Sequence, residues 1–205
     1  MTSVPPPEEA LGPEPGTWHL DPVHSCIVFV ARYLRFGRVQ GTISDARGAV
    51  AVAEDPADST VEVSIRAASL NTGVQARDDH LRSADFLDVE RFPEIRFTST
   101  RVQERSRAKG TFHLDGDLTL HGTTRPVSLD CQWAGEAPDY ADPDNTYGHF
   151  FAGNGQIRLS DFGVGDGGPV PWGGRLVGDT VDIVLEVRLQ NRDPIHFLRS
   201  IGHVA

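Results

Sequence analysis

The chain has 205 residues, 39% of them hydrophobic, with 21 glycines, 14 prolines and a net charge of −10. A chain of this size and turn-residue content suits one large all-β domain with a single core. The acidic balance opposes nucleic acid as a partner, because that binding depends on Lys and Arg displacing condensed counterions, and the same argument disfavours anionic membrane surfaces.

Residues 1–16 are rich in Pro and Glu and carry too little apolar content to offset their ordering entropy, so a disordered tail is expected there. The first basic side chain is Arg32. No positively charged leader is therefore expected, and the protein is read as cytoplasmic. One folded unit is expected over 17–191, followed by a C-terminal extension at 192–205.

From Trp18 onward apolar residues recur at every second position, the pattern of strands with one buried face. Ile27, Phe29, Ala31 and Tyr33 form the first such row. Its apolar run Cys26–Ala31 is too short to cross a bilayer, so no stable membrane insertion is expected. Val61, Val63 and Ile65 form the next row, with Glu62, Ser64 and Arg66 facing the other way. Between them, Asp45-Ala46-Arg47-Gly48 reads as a hairpin connection.

The polar stretch Asn71-Thr72-Gly73 through Asp88 interrupts the alternation. A helical connection is expected over 77–88, with Asp78 and Asp79 complementing the dipole of its first turn. Pro93 forces Phe92 into an extended conformation, and Ile95, Phe97 and Ser99 restart a strand. Phe112, Leu114, Leu118 and Leu120 read as two short runs around Asp115-Gly116. Val127, Leu129, Cys131 and Trp133 follow the connection His121-Gly122-Thr123-Thr124-Arg125-Pro126, which also suits a hairpin. The later rows are Phe151–Leu159 and Val181, Ile183, Leu185, Val187 and Leu189. Two long loops are expected, Gly135–Tyr147 and the glycine-rich Ser160–Asp179 around Trp172. After Pro194, the spacing of Ile195, Leu198 and Ile201 allows a short amphipathic helical turn.

Seven to nine strands joined by short connections suit antiparallel hairpins. Closing such a sheet on itself removes its edges, and eight strands enclose room for side chains or one small ligand. Alternation alone does not distinguish a filled interior from a hollow one.

The polar residues admit structural and functional readings. His24, three residues after Asp21, is either a hydrogen-bonding pair that fixes a strand start or an oriented base. Asn71, Arg77, Asp78 and His80 either tie down the helical connection or grip a ligand headgroup. Asp139, Asp142 and Asp144 lack the glycine and closing Glu of a calcium loop. The glycines of 163–174 lack the Gly-Lys-Ser/Thr ending of a phosphate loop. His113, His121 and His149 have no metal-ligand spacing, so neither a metal nor a cofactor is expected. Cys26 and Cys131 fall in separate strands and read as buried thiols of a reducing compartment.

Several of these pieces stand in an order that resembles the YceI family of bacterial polyisoprenoid-binding, lipocalin-like barrels. They are Leu20-Asp21-Pro22-Val23-His24-Ser25, Asn71-Thr72-Gly73, Arg77-Asp78, His80-Leu81-Arg82-Ser83, Asp85-Phe86, Phe92-Pro93, Leu118-Thr119-Leu120-His121-Gly122, Arg125-Pro126-Val127 and Asp161-Phe162-Gly163. The resemblance spans about Trp18 to Leu189. It implies a closed antiparallel eight-stranded barrel whose hydrophobic cavity takes an isoprenoid lipid, such as an isoprenoid quinone or a prenyl phosphate, without covalent chemistry. On that reading the ligand-binding residues are Ile27, Phe29, Tyr33, Phe86, Phe97, Phe112, Leu118, Leu129, Trp133, Phe151 and Trp172. Asn71, Arg77, Asp78 and His80 are the headgroup candidates, and a homodimer is allowed. Tyr33 stands where family members often have His. Two other readings remain open: an enzyme using His24, His80 or Asp78 as acid and base, and a filled barrel serving as an interaction scaffold.

Overall fold

The computed structural model describes residues 12–165, 168, 171, 173, 175–195 and 198. In chain order the strands are β1 (Gly16–Leu20), β2 (Cys26–Tyr33), β3 (Gly37–Ile43), β4 (Ala46–Val52), β5 (Thr60–Arg66) and β6 (Leu70–Asn71). After α1 (Gln75–Arg82) come β7 (Glu94–Ser106), β8 (Thr111–Leu120), β9 (Thr123–Pro138), β10 (Tyr147–Arg158) and β11 (Val177–Gln190).

Every pairing among the described residues is antiparallel, and the ring runs β1-β4-β5-β7-β8-β9-β10-β11 and back to β1. β1 and β2 lie end to end along one edge of β11: Leu20 faces Leu189, and Cys26 faces Glu186. β3 and β4 are likewise two halves of one strand, since β3 pairs with β2 and β4 with β1. β5 and β6 repeat the arrangement around the turn Ala67–Ser69. Counting each kinked pair as one stave gives an eight-stranded up-and-down barrel, as the alternating rows and the resemblance imply.

The sequence forms this barrel because inward positions are apolar and outward ones polar, most plainly in β9, where exposure alternates residue by residue from Val127 to Pro138. Two glycines let aromatic rings lie flat on the inner wall. A Cβ at Gly41 would stand 2.3 Å from Cζ of Phe29, and one at Gly116 would stand 2.4 Å from Cζ of Phe97. Gly116 is thus the reason that Asp115-Gly116 lies inside a single strand and does not divide two. The connection expected from His121 to Pro126 is shorter: β9 begins at Thr123 and pairs Thr123 through Pro126 with β8, which leaves His121-Gly122 as a two-residue hairpin turn with φ of 50° and 70°, the left-handed pair that matches strand twist.

Three expectations need correction. Asp45-Ala46-Arg47-Gly48 is no hairpin: Ser44 and Asp45 form a kink, and β4 runs on from Ala46 because Arg47 and Gly48 pair with Ser64 and Val63. The helix covers Gln75–Arg82 and stops short of Asp88, since Ser83 closes it with its N–H on the Asp79 and His80 carbonyls. The segment after it folds into turns around Asp88, which sits at a φ of 45°. The acidic loop is shorter than Gly135–Tyr147, because β9 extends to Pro138 and pairs with Tyr147.

The core lies at one end of the barrel. There α1, Phe86 and the turn Leu159–Phe162 form a plug in which Phe162 and Phe86 are 1% and 4% exposed. Of the residues after Pro194, Leu198 donates its N–H to the Pro194 carbonyl and is buried. Ile201 lies outside the described residues.

Candidate functional site

Above the plug the barrel is hollow. Its interior holds a cavity of about 450 Å³, within the range of small-molecule sites. The wall is built from the inward rows of the staves, including Ile27 and Phe29 of β2, Val50 and Val52 of β4, Val61 and Val63 of β5, and Ile183, Leu185 and Val187 of β11. Leu81, Leu87 and Val164 of the plug form its floor. β7 has 13 residues, about 40 Å of strand at roughly 3.3 Å per residue, and a tilt near 40° leaves about 30 Å along the axis. The staves that wall the space are accordingly long.

Ile27, Phe29, Phe86, Phe97, Phe112, Leu118, Leu129, Trp133 and Phe151 all line this cavity. Tyr33 does not. It ends the inward row of β2 beyond the plug and is 43% exposed. Trp172 lies outside the described residues. Sequence reasoning missed the contribution of β4, whose alternation is blurred by Arg47-Gly48-Ala49, and of Leu81, Leu87 and Val164. Leu81 and Leu87 fall in a polar stretch with no strand period to flag them.

The lining turns polar at the end away from α1. Glu104 and Ser106 of β7, Arg107 of the following turn and Thr111 of β8 meet Gly12 and Pro13 there. Trp18 Nε1 donates to the Glu14 carbonyl at 2.9 Å, so the segment just before β1 is held against this rim. Gly16, counted with the tail by composition, opens β1.

The headgroup candidates are placed elsewhere. Asn71 Oδ1 accepts from the Gly73 N–H at 2.7 Å. Asp78, 4% exposed, accepts from both the N–H and the hydroxyl of Thr72. Arg77 donates through Nε to Thr72 Oγ1 at 2.7 Å and through its terminal nitrogen to the Thr72 carbonyl at 2.9 Å. His80 stacks edge-on against Phe86, with ring centroids 5.0 Å apart, and lies 3.4 Å from an Asp85 carboxylate oxygen. The structure therefore brings Arg77 and Asp78 together on Thr72, where they fasten α1 to β6. None of the four lines the cavity.

A second polar cluster was legible only in part. His24 Nδ1 and Asp21 Oδ2 are 2.7 Å apart, the structural pair expected from their spacing. What the spacing does not reveal is Arg188 of β11, buried at 5% exposure. Arg188 donates to Asp21, to Gln190 Oε1 at 2.9 Å and to Asp139 Oδ2 at 2.8 Å. Burial pushes the Asp21 carboxyl up, but hydrogen bonds from His24, Arg188 and the Val23 N–H outweigh it and hold its pKa below the ordinary carboxylate value. Asp139 is likewise raised by burial and lowered further by the Ala141 and Asp142 N–H groups and by Arg188. The cluster bridges the kink between β1 and β2, where the barrel closes against β11.

Beside the cavity, His149 is 2% exposed and packs against Trp18 with ring centroids 4.6 Å apart. Its Nδ1 accepts from Trp133 Nε1 at 3.2 Å. That fixes the proton on the other ring nitrogen, so the Glu136 oxygen 3.5 Å from Nδ1 makes no ion pair with a neutral ring. Burial lowers the His149 pKa against the opposing pull of Glu136 and Glu14. Cys131 points at the cavity as a neutral thiol, its pKa pushed up to about 12 by burial and by Asp130. Among the described residues no group of His, Cys, Asp and Glu could hold a metal ion. No helix among them is long and apolar enough to cross a membrane.

Comparison with known proteins places this architecture. A family description, YceI-like domain, matches residues 18–189. A UPF0312 protein of Photorhabdus laumondii is 39% identical over 140 residues, covering 68% of this chain and 70% of that protein. A UPF0312 protein of Pseudomonas savastanoi is 37% identical over 147 residues, covering 71% and 74%. Among solved structures, Burkholderia cenocepacia BcnA aligns with a TM-score of 0.68 at 20% identity, over 84% of this chain and 99% of that one. A polyisoprenoid binding domain from Saccharophagus degradans aligns with a TM-score of 0.60 at 16% identity, over 84% and 97%.

Proposed function

The chain belongs to the YceI family, and from that premise we propose that it binds an isoprenoid lipid in the barrel cavity and sequesters or carries it without covalent chemistry. The observation that carries this reading is the apolar cavity, walled by aliphatic and aromatic side chains of the inward rows. A hollow interior also weighs against a filled interaction scaffold. The kinship of fold with the polyisoprenoid binding domain of Saccharophagus degradans adds support.

An isoprenoid quinone or prenyl phosphate is hydrocarbon over most of its length and needs apolar walls more than directional partners. At about 0.8 kcal/mol per buried carbon, an isoprene unit of five carbons contributes about 4 kcal/mol, so a few units offset the cost of association. The headgroup would sit at the polar rim formed by Glu104, Ser106, Arg107 and Thr111, since Asn71, Arg77, Asp78 and His80 are engaged in folding. An acid–base enzyme is disfavoured because His24, His80 and Asp78 stand outside the cavity wall. Residence in the cytoplasm is part of the proposal, supported by Cys26 and Cys131 standing as free thiols.

The test is to purify the protein from its own host, extract it with organic solvent and identify the released lipid by mass spectrometry. Near-stoichiometric prenyl lipid is expected. Protein that releases none, and that takes up neither added quinones nor prenyl phosphates, would overturn the reading.

A further inference from the structure

We propose that the tip of the β2–β3 hairpin docks the protein onto an anionic phospholipid membrane. The tip reads Arg32-Tyr33-Leu34-Arg35-Phe36-Gly37-Arg38, which holds three cations and no acid in a chain whose net charge is −10. Phe36 is 90% exposed and Tyr33 is 43% exposed.

Two features set this segment apart from an ordinary solvated turn. First, Arg32 and Arg38 are direct cross-strand partners, on the face opposite the inward row of Phe29 and Ala31. Like charges placed directly opposite each other destabilise a strand pair, and an anionic surface relieves that repulsion by neutralising both. Among the described residues no carboxylate pairs with Arg32, Arg35 or Arg38 to neutralise them in place.

Second, the turn is shaped to present side chains. Leu34 and Arg35 occupy the left-handed region, with φ of 49° and 69°, where glycine or asparagine is the easier choice. The Leu34 N–H bonds to the Leu176 carbonyl at 3.1 Å, which ties the turn to the barrel and leaves Phe36 standing clear. A ring at the apex with guanidinium groups beside it matches the boundary between headgroups and acyl chains, where aromatic side chains settle and Arg reaches phosphate.

The acidity of the rest of the chain does not prevent this contact. Charges more than a Debye length from the surface, about 8 Å at physiological salt, are largely screened, so the local patch decides. The docking surface is separate from the cavity and does not depend on what the cavity contains.

The experiment is co-sedimentation of the full chain with vesicles of phosphatidylcholine alone or mixed equally with phosphatidylglycerol. Binding to the mixed vesicles and not to the neutral ones is expected. Arg32→Gln and Arg38→Gln should each weaken it about fivefold and together about twenty-five-fold. Phe36→Ser should weaken binding while leaving the melting temperature unchanged, and Arg96→Gln should have no effect. Absence of sedimentation, or sedimentation indifferent to the tip variants, would overturn the proposal. So would retention on polyglutamate as strong as on the vesicles and indifferent to Phe36→Ser, which would mark the patch as a site for an acidic polypeptide.

Discussion

Arg188→Met should loosen the barrel at its seam. β1 meets β11 only at His19 and Leu20, and Arg188 sits beside this contact, joined to Asp21, Gln190 and Asp139. The side chains of Arg188 and Asp21 are 6% and 5% exposed. Removing the cation leaves Asp21 with only His24 and the Val23 N–H, a buried carboxylate without its permanently charged partner. Breaking a buried pair in this way costs about 3–5 kcal/mol, which in a domain of this size lowers the melting temperature by about 10 °C. The exposed pair Arg96–Glu94 is the control: with side chains 68% and 46% exposed, its loss in Arg96→Met should cost under about 1 kcal/mol.

Urea titrations of the wild type and both variants, repeated across acid pH, measure these differences. Asp21 and Asp139 have folded pKa values below their ordinary ones. The stability they contribute is therefore complete above about pH 4 and is lost as pH falls through the folded values. The gap between wild type and Arg188→Met should accordingly narrow as the solution is acidified below about pH 4. A loss at neutral pH no larger than that of Arg96→Met, or a gap that stays constant into acid, would refute the assignment of Arg188 as the clasp of the seam.

Ile183→Trp places an indole in the cavity from the middle of β11 and should abolish lipid loading while the strand signature in circular dichroism persists. Loading at wild-type stoichiometry would show that the ligand sits elsewhere. Gly116→Val puts a side chain where Phe97 and the Thr98 carbonyl stand 2.4 and 2.7 Å from the new Cβ, and should destabilise by about 1–3 kcal/mol in urea. Cys131, with its pKa pushed up to about 12, should resist iodoacetamide in the native protein and react once urea unfolds it, as mass spectrometry of the alkylated chain would show.

Much of the barrel was written in the order of residues. Alternation is a local property, so the rows of β2, β5, β7, β9 and β11 could be read one segment at a time, and nine of the proposed lining residues stand on the cavity wall. Where the period was broken, reading failed for a physical reason. β4 carries Arg47-Gly48-Ala49, and its strand character comes from pairing with β1 and β5. Gly116 looked like a turn because the ring that covers it, Phe97, comes from the neighbouring strand.

Long-range placement was decided only in three dimensions. Asp21 and His24 announce a local pair, but Arg188 lies 167 residues from Asp21, and no spacing rule joins groups so distant. Arg77, Asp78 and Thr72 are neighbours in sequence, yet whether they face a ligand or each other depends on how α1 docks, and the packing of Leu81 and Phe86 turns them away from the cavity. Tyr33 belongs to an inward row and still ends in solvent, because the hairpin outruns the plug. Local chemistry sets which face of a strand is apolar, whereas closure of the ring sets what that face surrounds.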